Sequence, residues 1–331
     1  MHYVVYGAGG IGGVIGARLF QAGIRTTLIA RGEHAAVMRE QGLHLIAPGE
    51  DVKLKLPVAI HPQEVEFTAD SVILLCMKSQ QTLQALQDLV AAGVQDLPIV
   101  CVQNGVANEA LALRFFPRVY ATVVNLPAVF IHPGEVVTHA AGHGGILDTG
   151  CFPNGVDPKA TQIAQDFARA GFSARPAAQV MRQKYAKLLL NLYNVLQAGL
   201  SDVAEAGDIR RQIRTEALAC YQAAGIDCAS KAETDERREG VYSMVEIPGY
   251  ERIAGSSWQS MVRGTGDIET EYLNGEISWL GRMHNVATPA NDACVQLGRD
   301  LVRAQQGPGL LTAAELTTRI KVLAQKRTPE S

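Results

Sequence analysis

The chain has 331 residues, 47% of them hydrophobic, which is enough to form two domains of ordinary size. Its 33 acidic and 30 basic residues give a formal net charge of -3, so it lacks the strong positive field that nucleic-acid binding usually needs. Its six cysteines are scattered, with no CxxC pair and no metal-like Cys/His cluster, which argues against a metal site and indicates buried thiols in a reducing compartment.

The N-terminal segment leads directly from Met1 into a βαβ unit. HYVVYG at 2–7 has the pattern of an apolar strand, a glycine turn and helix follow at 7–23, and RTTLIAR at 25–31 predicts a second strand. No charged segment precedes a hydrophobic one, and no apolar run approaches the ~20 residues of a membrane span. We therefore expect a cytoplasmic protein without a membrane partner.

Three further strand-like runs follow. They are SVILLCM at 71–77, LPIVCVQ at 97–103 and VYATVV at 119–124, and helical stretches such as 80–92 separate them. This alternation predicts a mostly parallel sheet that is covered on both faces.

The pattern changes after these strands. Residues 125–150 are rich in β-branched residues, glycine and histidine, which indicates extra strands or a hairpin, and a helical segment at 158–171 follows. From Val180 onward, helical patterns replace strand patterns. We predict an α/β, Rossmann-type, doubly wound N-terminal domain over residues 1–177 and an all-α C-terminal domain over residues 178–331.

A glycine-rich turn joins the first strand to the first helix. Gly7, Gly9 and Gly12 have the GxGxxG spacing between a strand and a helix, which is the context of a dinucleotide-binding loop; the alternative is a glycine turn without a ligand. These glycines permit a tight turn, backbone approach to a pyrophosphate and close helix packing, while N–H groups at the helix start bind phosphates. The predicted cofactor-binding residues of this loop are Gly7, Ala8, Gly9, Gly10, Ile11 and Gly12.

The end of the second strand indicates which dinucleotide binds. NAD enzymes usually place Asp or Glu there, roughly 20 residues beyond the loop, to bind the ribose 2′-hydroxyl. This chain has Ala30 and Arg31. Because a guanidinium binds a 2′-phosphate in bidentate fashion, we predict NADP, with NADPH preferred. Glu33 is interpreted as a helix-start residue that complements the helix dipole, although it leaves some use of NAD open.

Two polar residues follow later strands of the predicted sheet. Lys78 follows the strand at 71–77, and Asn104 lies in VQNGV after the strand at 97–103. Each alone is also consistent with a solvated lysine or a turn asparagine. Because both lie at carboxyl ends of parallel strands, we predict that they line the cofactor or substrate site.

The helical pattern KYAKLLLNLYN places three polar residues in an apolar region. Lys187, Asn191 and Asn194 have the i, i+4, i+7 spacing, which puts them on one face of an α-helix. A helical lysine is usually solvated, but the neighbouring leucines indicate a largely buried helix, in which an asparagine needs a partner. The candidates to complement this face are Ser257, in a glycine-flanked segment, and Glu269, near a helix start, where an ordinary first-turn glutamate is the alternative.

Together these segments resemble the ketopantoate reductase (2-dehydropantoate 2-reductase) family over essentially the whole chain. The pieces that carry the resemblance are, in order, GAGGIG, ARGEH, CMKSQQT, QNGVANE, KLLLN and SSWQS...IETEYLNGEI. No single piece is diagnostic, but their order and spacing are specific. The resemblance implies a C-terminal domain similar to that of 6-phosphogluconate dehydrogenase. It also implies NADPH-dependent reduction of 2-dehydropantoate to pantoate, as in pantothenate and coenzyme A biosynthesis.

The resemblance further implies a role for each matching residue. Lys187 matches the family's catalytic lysine, the proton donor to the ketone oxygen, and Glu269 matches a catalytic glutamate near the reacting centre. Asn191 matches a substrate-binding asparagine, and Ser257 matches the serine that helps to hold the substrate carboxylate. The remaining matches are contacts of the cofactor and substrate: Arg31 at the 2′-phosphate, Lys78 and Asn104 along the cleft, the backbone of Ala128, and Glu269 beside the cofactor.

The sequence departs from the family in two places. The family commonly has a second asparagine four residues after the first, where this chain has Val195, with the predicted substrate residue Asn194 one position earlier. The segment NLPAVFIHPGEV also lacks the family's Thr/Gly-rich composition. Three functions stay open: reduction of ketopantoate, reduction of another 2-oxo acid or an opine-type imine, and a non-catalytic NADP-binding sensor or partner-binding protein. The last predicts loss of Lys187 and Glu269, which are present, so it ranks last.

In the first function, hydride passes from NADPH to the C2 carbonyl of a 2-oxo acid in the cleft between the domains. Lys187 stabilises the developing alkoxide and then donates its proton. Glu269 orients Lys187 or binds a substrate hydroxyl, while Asn191, Asn104 and Ser257 fix the carbonyl and carboxylate. We expect a small 2-oxo acid as the partner molecule, and a monomer or a homodimer.

Overall fold

The computed structural model of the protein describes residues 1–250, 258, 261, 268–304 and 309–326. These residues form two compact units. The first comprises residues 1–184 and 230–250, and the second comprises residues 185–229 and the described residues from 258 onward. None of the described helices is both long and apolar enough to span a lipid bilayer.

Strands are concentrated in the first half of the chain and helices in the second. The described strands are β1 (His2–Tyr6), β2 (Arg25–Ile29), β3 (Leu43–Ala47), β4 (Glu50–Leu54), β5 (Val58–Ala59), β6 (Ser71–Leu75), β7 (Ile99–Cys101), β8 (Val119–Asn125), β9 (Ala128–Val129), β10 (Glu135–Thr138), β11 (Ala140–Gly142), β12 (Ile146–Cys151) and β13 (Tyr242–Met244). The described α-helices are α1 (Gly10–Gln21), α2 (Gly32–Gln41), α3 (Thr82–Ala91), α4 (Asn108–Leu113), α5 (Pro158–Arg169), α6 (Val180–Asn191), α7 (Asn194–Gly199), α8 (Gly207–Ala224), α9 (Lys231–Arg238), α10 (Asn274–Met283), α11 (Pro289–Ala304) and α12 (Ala313–Gln325).

A seven-stranded sheet in the order β12-β8-β7-β6-β1-β2-β5 forms the centre of the first unit. Neighbouring strands are parallel except β12, which runs antiparallel to β8 at one edge. The three strand runs predicted after the βαβ unit correspond to β6, β7 and β8, so the doubly wound α/β class is confirmed. Tyr6 pairs with Leu75 and Leu75 pairs with Cys101, so the carboxyl ends of these strands meet at one edge of the sheet.

Helices cover both faces of this sheet. On one face, α1 and α5 contribute Ile15 and Phe167 to a core that contains Val5. On the other face, α3 contributes Leu86 and Leu89. Every residue of β1 and β6 is buried, which explains why their sequences are continuous apolar runs without alternation.

Smaller sheets flank the main one. The extra strands predicted within residues 125–150 are present as β9 to β12, and β9 and β10 join a four-stranded sheet in the order β4-β3-β10-β9. The sequence does not predict the β3–β4 hairpin. Its outer strand, EDVKL, is polar and at most half-buried, so it lacks a clear hydrophobic pattern.

Residues 230–250 differ from the prediction, which places all of residues 178–331 in one helical domain. They pack with the first unit instead, where β13 pairs with β11. Arg237 of this segment donates to both carboxylate oxygens of Asp148 at 2.6 Å and to the hydroxyl of Ser173 at 3.0 Å. Asp148 is almost fully buried and needs this counter-charge, a requirement that helical periodicity does not reveal.

The second unit is helical, as predicted for the C-terminal part of the chain. The division between the two units lies inside α6, after Lys184, whereas the predicted boundary follows residue 177. Helices α7 and α11 approach each other closely at Gly199, where an added Cβ would lie 2.6 Å from a methyl carbon of Leu297. A capping box formed by Thr312 and the glutamate three residues later begins α12.

Candidate active site

The turn from β1 into α1 has the geometry of a dinucleotide-binding loop. Gly7 has φ +98°, in the left-handed region, and a Cβ there would lie 2.7 Å from the backbone nitrogen of Met77. A Cβ at Gly12 would overlap the carbonyl oxygen of Gly7. Gly9 occupies the N-cap of α1, and no described side chain caps the first N–H groups of this helix. Those N–H groups can therefore bind phosphate oxygens.

The backbone of Ala128 and the side chain of His34 lie beside this loop. A Cβ on Gly10 would lie 3.4 Å from the carbonyl carbon of Ala128. His34, which is not among the predicted site residues, donates from Nε2 to the carbonyl oxygen of Ala8 at 2.7 Å. Its Nδ1 accepts from the backbone N–H of Gly134 at 2.8 Å, which fixes the neutral tautomer. The only signal in the sequence is the position of His34 within the ARGEH motif.

Arg31 lies at the N-cap of α2 and lines a hollow of about 720 Å³ at the end of β2. Its Nη2 donates to the hydroxyl of Tyr6 at 3.0 Å and lies 3.4 Å from a carboxylate oxygen of Asp88. The Tyr6 hydroxyl donates to the same carboxylate at 2.8 Å. Burial is the main cause that raises the pKa of Tyr6 to about 12, and the hydrogen bond to Asp88 adds to the increase, so the phenol stays protonated. The Arg31 side chain is 57% exposed, which leaves its fork accessible to a ligand.

The loops that carry Lys78 and Asn104 are joined by the buried side chain of Gln103. Lys78 is the N-cap of a 3₁₀ turn after β6, and Asn104 follows β7 in a half-buried position. Nε2 of Gln103 donates to the carbonyl oxygen of Met77 at 2.9 Å and to the hydroxyl of Thr82 at 2.8 Å. The two loops are therefore held together at the carboxyl edge of the sheet.

Asn108, at the start of α4, makes a second connection between these loops. Its Oδ1 accepts from the hydroxyl of Thr82 at 2.9 Å. Its Nδ2 donates to the hydroxyl of Ser79 at 3.0 Å and to the carbonyl oxygen of Asn104 at 3.2 Å. This network explains the polar residues of the CMKSQQT and QNGVANE motifs, since buried polar groups need hydrogen-bond partners.

A buried ion pair supports the Asn104 loop. Nζ of Lys184, on α6, contacts a carboxylate oxygen of Glu109, and the two side chains are 3% and 0% exposed. The same Nζ donates to the carbonyl oxygen of Gln103 at 3.0 Å. A buried charge is tolerated only when it is paired, so Glu109 holds Lys184 in place. The hydrogen bond from Lys184 to Gln103 then fixes the backbone that precedes Asn104. Neither residue of this pair is among those predicted from the sequence to be functional.

Lys187 and Asn191 lie one turn apart near the end of α6, in the second unit, and both are half-buried. Nδ2 of Asn191 is buried and has no hydrogen-bond acceptor among the described residues. A buried donor without an acceptor costs free energy, so this amide is a candidate to bind an oxygen atom of a ligand.

The helix that was predicted to carry Lys187, Asn191 and Asn194 on one face is interrupted before Asn194. Helix α6 ends at Asn191, and α7 begins at Asn194 after a two-residue turn. The carbonyl oxygen of Leu192, within this turn, accepts a hydrogen bond from Nδ2 of Asn274 at 3.1 Å. This side-chain bond replaces a backbone bond of the helix and stabilises the break.

Asn274 belongs to a buried polar network within the second unit. Its Nδ2 also donates to Oδ1 of Asn291 at 3.1 Å, and Nδ2 of Asn291 donates to Glu216 at 2.8 Å. The carboxylate of Glu216 accepts from the backbone N–H groups of Ala290 and Asn291, at the start of α11. Burial raises the pKa of Glu216, and these hydrogen bonds act against the increase. The sequence signal for this network is the Asn-Gly pair of the YLNGEI motif.

Glu269 is almost fully buried and occupies the N-cap of the 3₁₀ turn Thr270–Tyr272. Thr270 packs closely against α11, since a Cβ on Gly298 would lie 2.6 Å from the Thr270 hydroxyl oxygen. The position of Glu269 is therefore set by tight packing of the adjacent residue. Ser257, the remaining predicted substrate residue, lies outside the described residues.

Family models match both parts of the chain. The model described as Ketopantoate reductase PanE/ApbA matches residues 3–154, and the model described as Ketopantoate reductase PanE/ApbA C terminal matches residues 179–301. The 2-dehydropantoate 2-reductase of Halobacterium salinarum is 25% identical over 312 residues, covering 93% of this chain and 100% of that protein. The enzyme of the same name from Mesorhizobium japonicum is 27% identical over 334 residues, covering 91% and 98%.

Solved structures agree with these matches. The PanE/ApbA family ketopantoate reductase from Ralstonia eutropha has a TM-score of 0.77 and 26% identity, covering 92% of this chain and 100% of that chain. A D-mandelate dehydrogenase, solved with NADH and anilino(oxo)acetate, also has a TM-score of 0.77, with 25% identity and coverage of 92% and 99%. The chain therefore belongs to the ketopantoate reductase PanE/ApbA family.

Proposed function

We propose that the protein is an NADPH-dependent reductase that converts the C2 ketone of 2-dehydropantoate into the alcohol of pantoate. The observation that carries this proposal is the buried Nδ2 of Asn191, which has no acceptor among the described residues and lies one turn beyond the half-buried Lys187. A ketone oxygen is an acceptor that suits this donor, and an ammonium group nearby on the helix is a suitable proton donor. Relatives named 2-dehydropantoate 2-reductase support this choice of substrate.

The first unit fits a dinucleotide cofactor. When bound, a reduced nicotinamide supplies the hydride for C2 of the substrate. Gly7 and Gly12 keep the turn open to a pyrophosphate, and the uncapped start of α1 provides N–H donors. Arg31, oriented by the Tyr6 hydroxyl, presents its guanidinium to the 2′-phosphate of NADP. Ala30 stands where an NAD site usually has the carboxylate that binds the ribose 2′-hydroxyl.

The side chains of the second unit provide the proton chemistry. Asn191 donates a hydrogen bond to the carbonyl oxygen, and this bond strengthens as the oxygen gains negative charge. Lys187 stabilises the same oxygen and then donates a proton from Nζ, because the alkoxide is far more basic than an amine. Glu269 holds the ammonium group or binds a substrate hydroxyl. Asn104 and Ser257 bind the carbonyl and carboxylate ends of the substrate.

A second candidate is a reductase of a different 2-oxo acid, and Val195 favours it. This residue stands where the family commonly has a second asparagine, and it is 2% exposed, as part of the core of the second unit. The adjacent Asn194 is only half-buried. The chain has one amide fewer at this position for binding a substrate, which suits a more apolar substrate side chain, and a D-mandelate dehydrogenase of the same fold was solved with NADH and anilino(oxo)acetate. NADH is therefore the alternative cofactor.

Steady-state oxidation of NADPH and NADH should be measured with 2-dehydropantoate and with a panel of 2-oxo acids that includes aromatic members. The proposal predicts the highest kcat/KM for NADPH with 2-dehydropantoate. It also predicts that Asn191→Ala decreases kcat by about 10²-fold, as expected for loss of a donor to the developing oxyanion. Asn154→Ala, at an exposed loop position, is the matched control.

The other outcomes separate the alternatives. Preference for an aromatic 2-oxo acid would support the second candidate. Absence of turnover with every substrate, by a folded protein that binds NADPH, would contradict both reductase proposals and leave the non-catalytic function.

A further inference from the structure

Arg238, the last residue of α9, is a half-buried cation that forms no ion pair within the described chain. Its Nη2 donates to Oδ1 of Asn125 at 2.7 Å, and its Nε is buried without a hydrogen-bond acceptor among the described residues. The preceding residue differs, because Arg237 contacts both carboxylate oxygens of Asp148. Burying a cation beside a neutral amide alone costs free energy, so this arrangement suits a bound anion.

The position of Asn125 places Arg238 at the ligand-binding edge of the sheet. Asn125 is the last residue of β8. Ala121 of β8 pairs with Cys101, the final residue of β7. Asn125 lies four residues beyond Ala121, so β8 extends roughly 13 Å past the end of β7 at the usual rise of a strand. This edge also carries the loops of Lys78 and Asn104, and in open α/β sheets ligands bind outside this edge.

Neighbouring contacts hold α9, and with it Arg238, in place. A capping box between Ser230 and Glu233 begins the helix. The bidentate contact of Arg237 with the buried Asp148 anchors its other end to the sheet. The guanidinium of Arg238 is therefore presented from a fixed element, which lowers the entropic cost of binding an anion.

Two kinds of anion enter a site of this type: the phosphates of a dinucleotide and the carboxylate of a 2-oxo acid. The chain that follows β8 returns to the glycine turn, where Ala128 lies beside Gly10, so distance does not separate the two anions. The carboxylate is favoured by the charge of the residues that are predicted to bind the substrate. The residues predicted to bind substrate are all neutral: Asn104, Asn191, Asn194 and Ser257.

We propose that Arg238 binds the carboxylate of the substrate and neutralises its charge. This role rests on the proposed function, because it takes a 2-oxo acid as the substrate. The planar guanidinium matches the two oxygens of a carboxylate, and Asn125 orients the fork by accepting from Nη2. Arg238 thereby selects 2-oxo acids against neutral ketones.

The test compares a 2-oxo acid with its neutral methyl ester. Arg238→Gln should decrease kcat/KM for the acid by about 30-fold or more, mainly through KM, as expected for loss of a charged partner. It should change kcat/KM for the ester by less than about 3-fold and leave KM for NADPH unchanged. Arg238→Lys should recover part of the activity with the acid. Arg114→Gln, which alters an exposed arginine after α4, is the matched control.

Several results would overturn this role. Equal losses for the acid and the ester would show a structural effect, and a rise in KM for NADPH alone would assign Arg238 to a cofactor phosphate. If the wild type reduces the acid and Arg238→Gln does so equally well, the role of Arg238 falls while the proposed function stands. If the folded wild type reduces no 2-oxo acid, both fall together.

A second variant keeps the test valid if Arg238→Gln does not fold. Asn125→Ala removes the acceptor that orients the guanidinium, so it should decrease kcat/KM for the acid more than for the ester. An equal decrease for both substrates, with an unchanged melting temperature, would contradict the proposal.

Discussion

Removing one partner of the buried ion pair between Lys184 and Glu109 should strongly destabilise the first unit. Lys184→Met leaves the Glu109 carboxylate, which is 0% exposed, without its counter-charge and removes the hydrogen bond to the carbonyl oxygen of Gln103. Breaking a buried ion pair on one side costs about 3–5 kcal/mol. For a unit of this size, each kcal/mol shifts Tm by about 2–4 °C, so we expect Tm to fall by roughly 6–20 °C.

The double variant Lys184→Met/Glu109→Leu separates loss of the charge pair from loss of packing. Replacing both partners by apolar side chains is often neutral, so the double variant should regain stability to within about 1 kcal/mol of the wild type. The matched control is Lys231→Met, which removes the exposed pair between Lys231 and Asp235 and should cost less than about 0.5 kcal/mol.

Thermal and urea-induced unfolding, monitored by circular dichroism, measure these differences. A decrease in Tm of less than about 3 °C for Lys184→Met would refute the assigned role of the pair. A double variant as unstable as the single one would also contradict that role.

Three further changes test other parts of the structure. Arg31→Ala should raise KM for NADPH by about 10-fold or more and leave KM for NADH nearly unchanged, measured by steady-state kinetics, since only NADPH carries the 2′-phosphate. Gly298→Ala places a methyl group 2.6 Å from the hydroxyl oxygen of Thr270, so the 3₁₀ turn that follows Glu269 must shift and kcat should fall by about 10-fold. Gly207→Ala is the control, because an added Cβ there meets no atom within 4 Å. A hydrogen bond from Arg182 lowers the pKa of Glu233 from 4.5 to about 2, and a second bond from the backbone N–H of Ser230 contributes to the decrease. Glu233 therefore stabilises α9 above pH 4.5, and this contribution is lost as the pH falls through about 2; Glu233→Gln should flatten this dependence in acid unfolding.

Local patterns were sufficient to predict most of the fold. The buried runs of β1 and β6 are continuous and apolar, as strands covered on both faces require, and Gly7 and Gly12 occupy positions where a side chain would clash. The break after Asn191 could not be predicted, because the bond that stabilises it comes from Asn274, far away in the sequence. Helical periodicity contains no information about such a contact.

The candidate site also combines residues that local sequence patterns predict with residues that depend on contacts distant in the sequence. Gly7, Arg31 and Lys187 were identified from motifs and from their places at element ends. His34, Lys184 and Arg238 were not, because each acquires its significance from a partner in another element: the Ala8 carbonyl, the Glu109 carboxylate and the Asn125 amide. An isolated arginine or histidine in a helix is usually a surface residue, so these contacts become visible only in the folded structure.

The central claim is that Lys187 donates the proton to the reduced carbonyl oxygen of a 2-oxo acid. The most direct measurement is single-turnover oxidation of NADPH with 2-dehydropantoate by the wild type, by Lys187→Ala and by the exposed control Lys321→Ala. We predict that Lys187→Ala lowers the rate by about 10²-fold or more, with unchanged Kd for NADPH and unchanged Tm, while the control matches the wild type. A rate for Lys187→Ala within about 3-fold of the wild type would contradict the claim, because a general acid contributes far more than that.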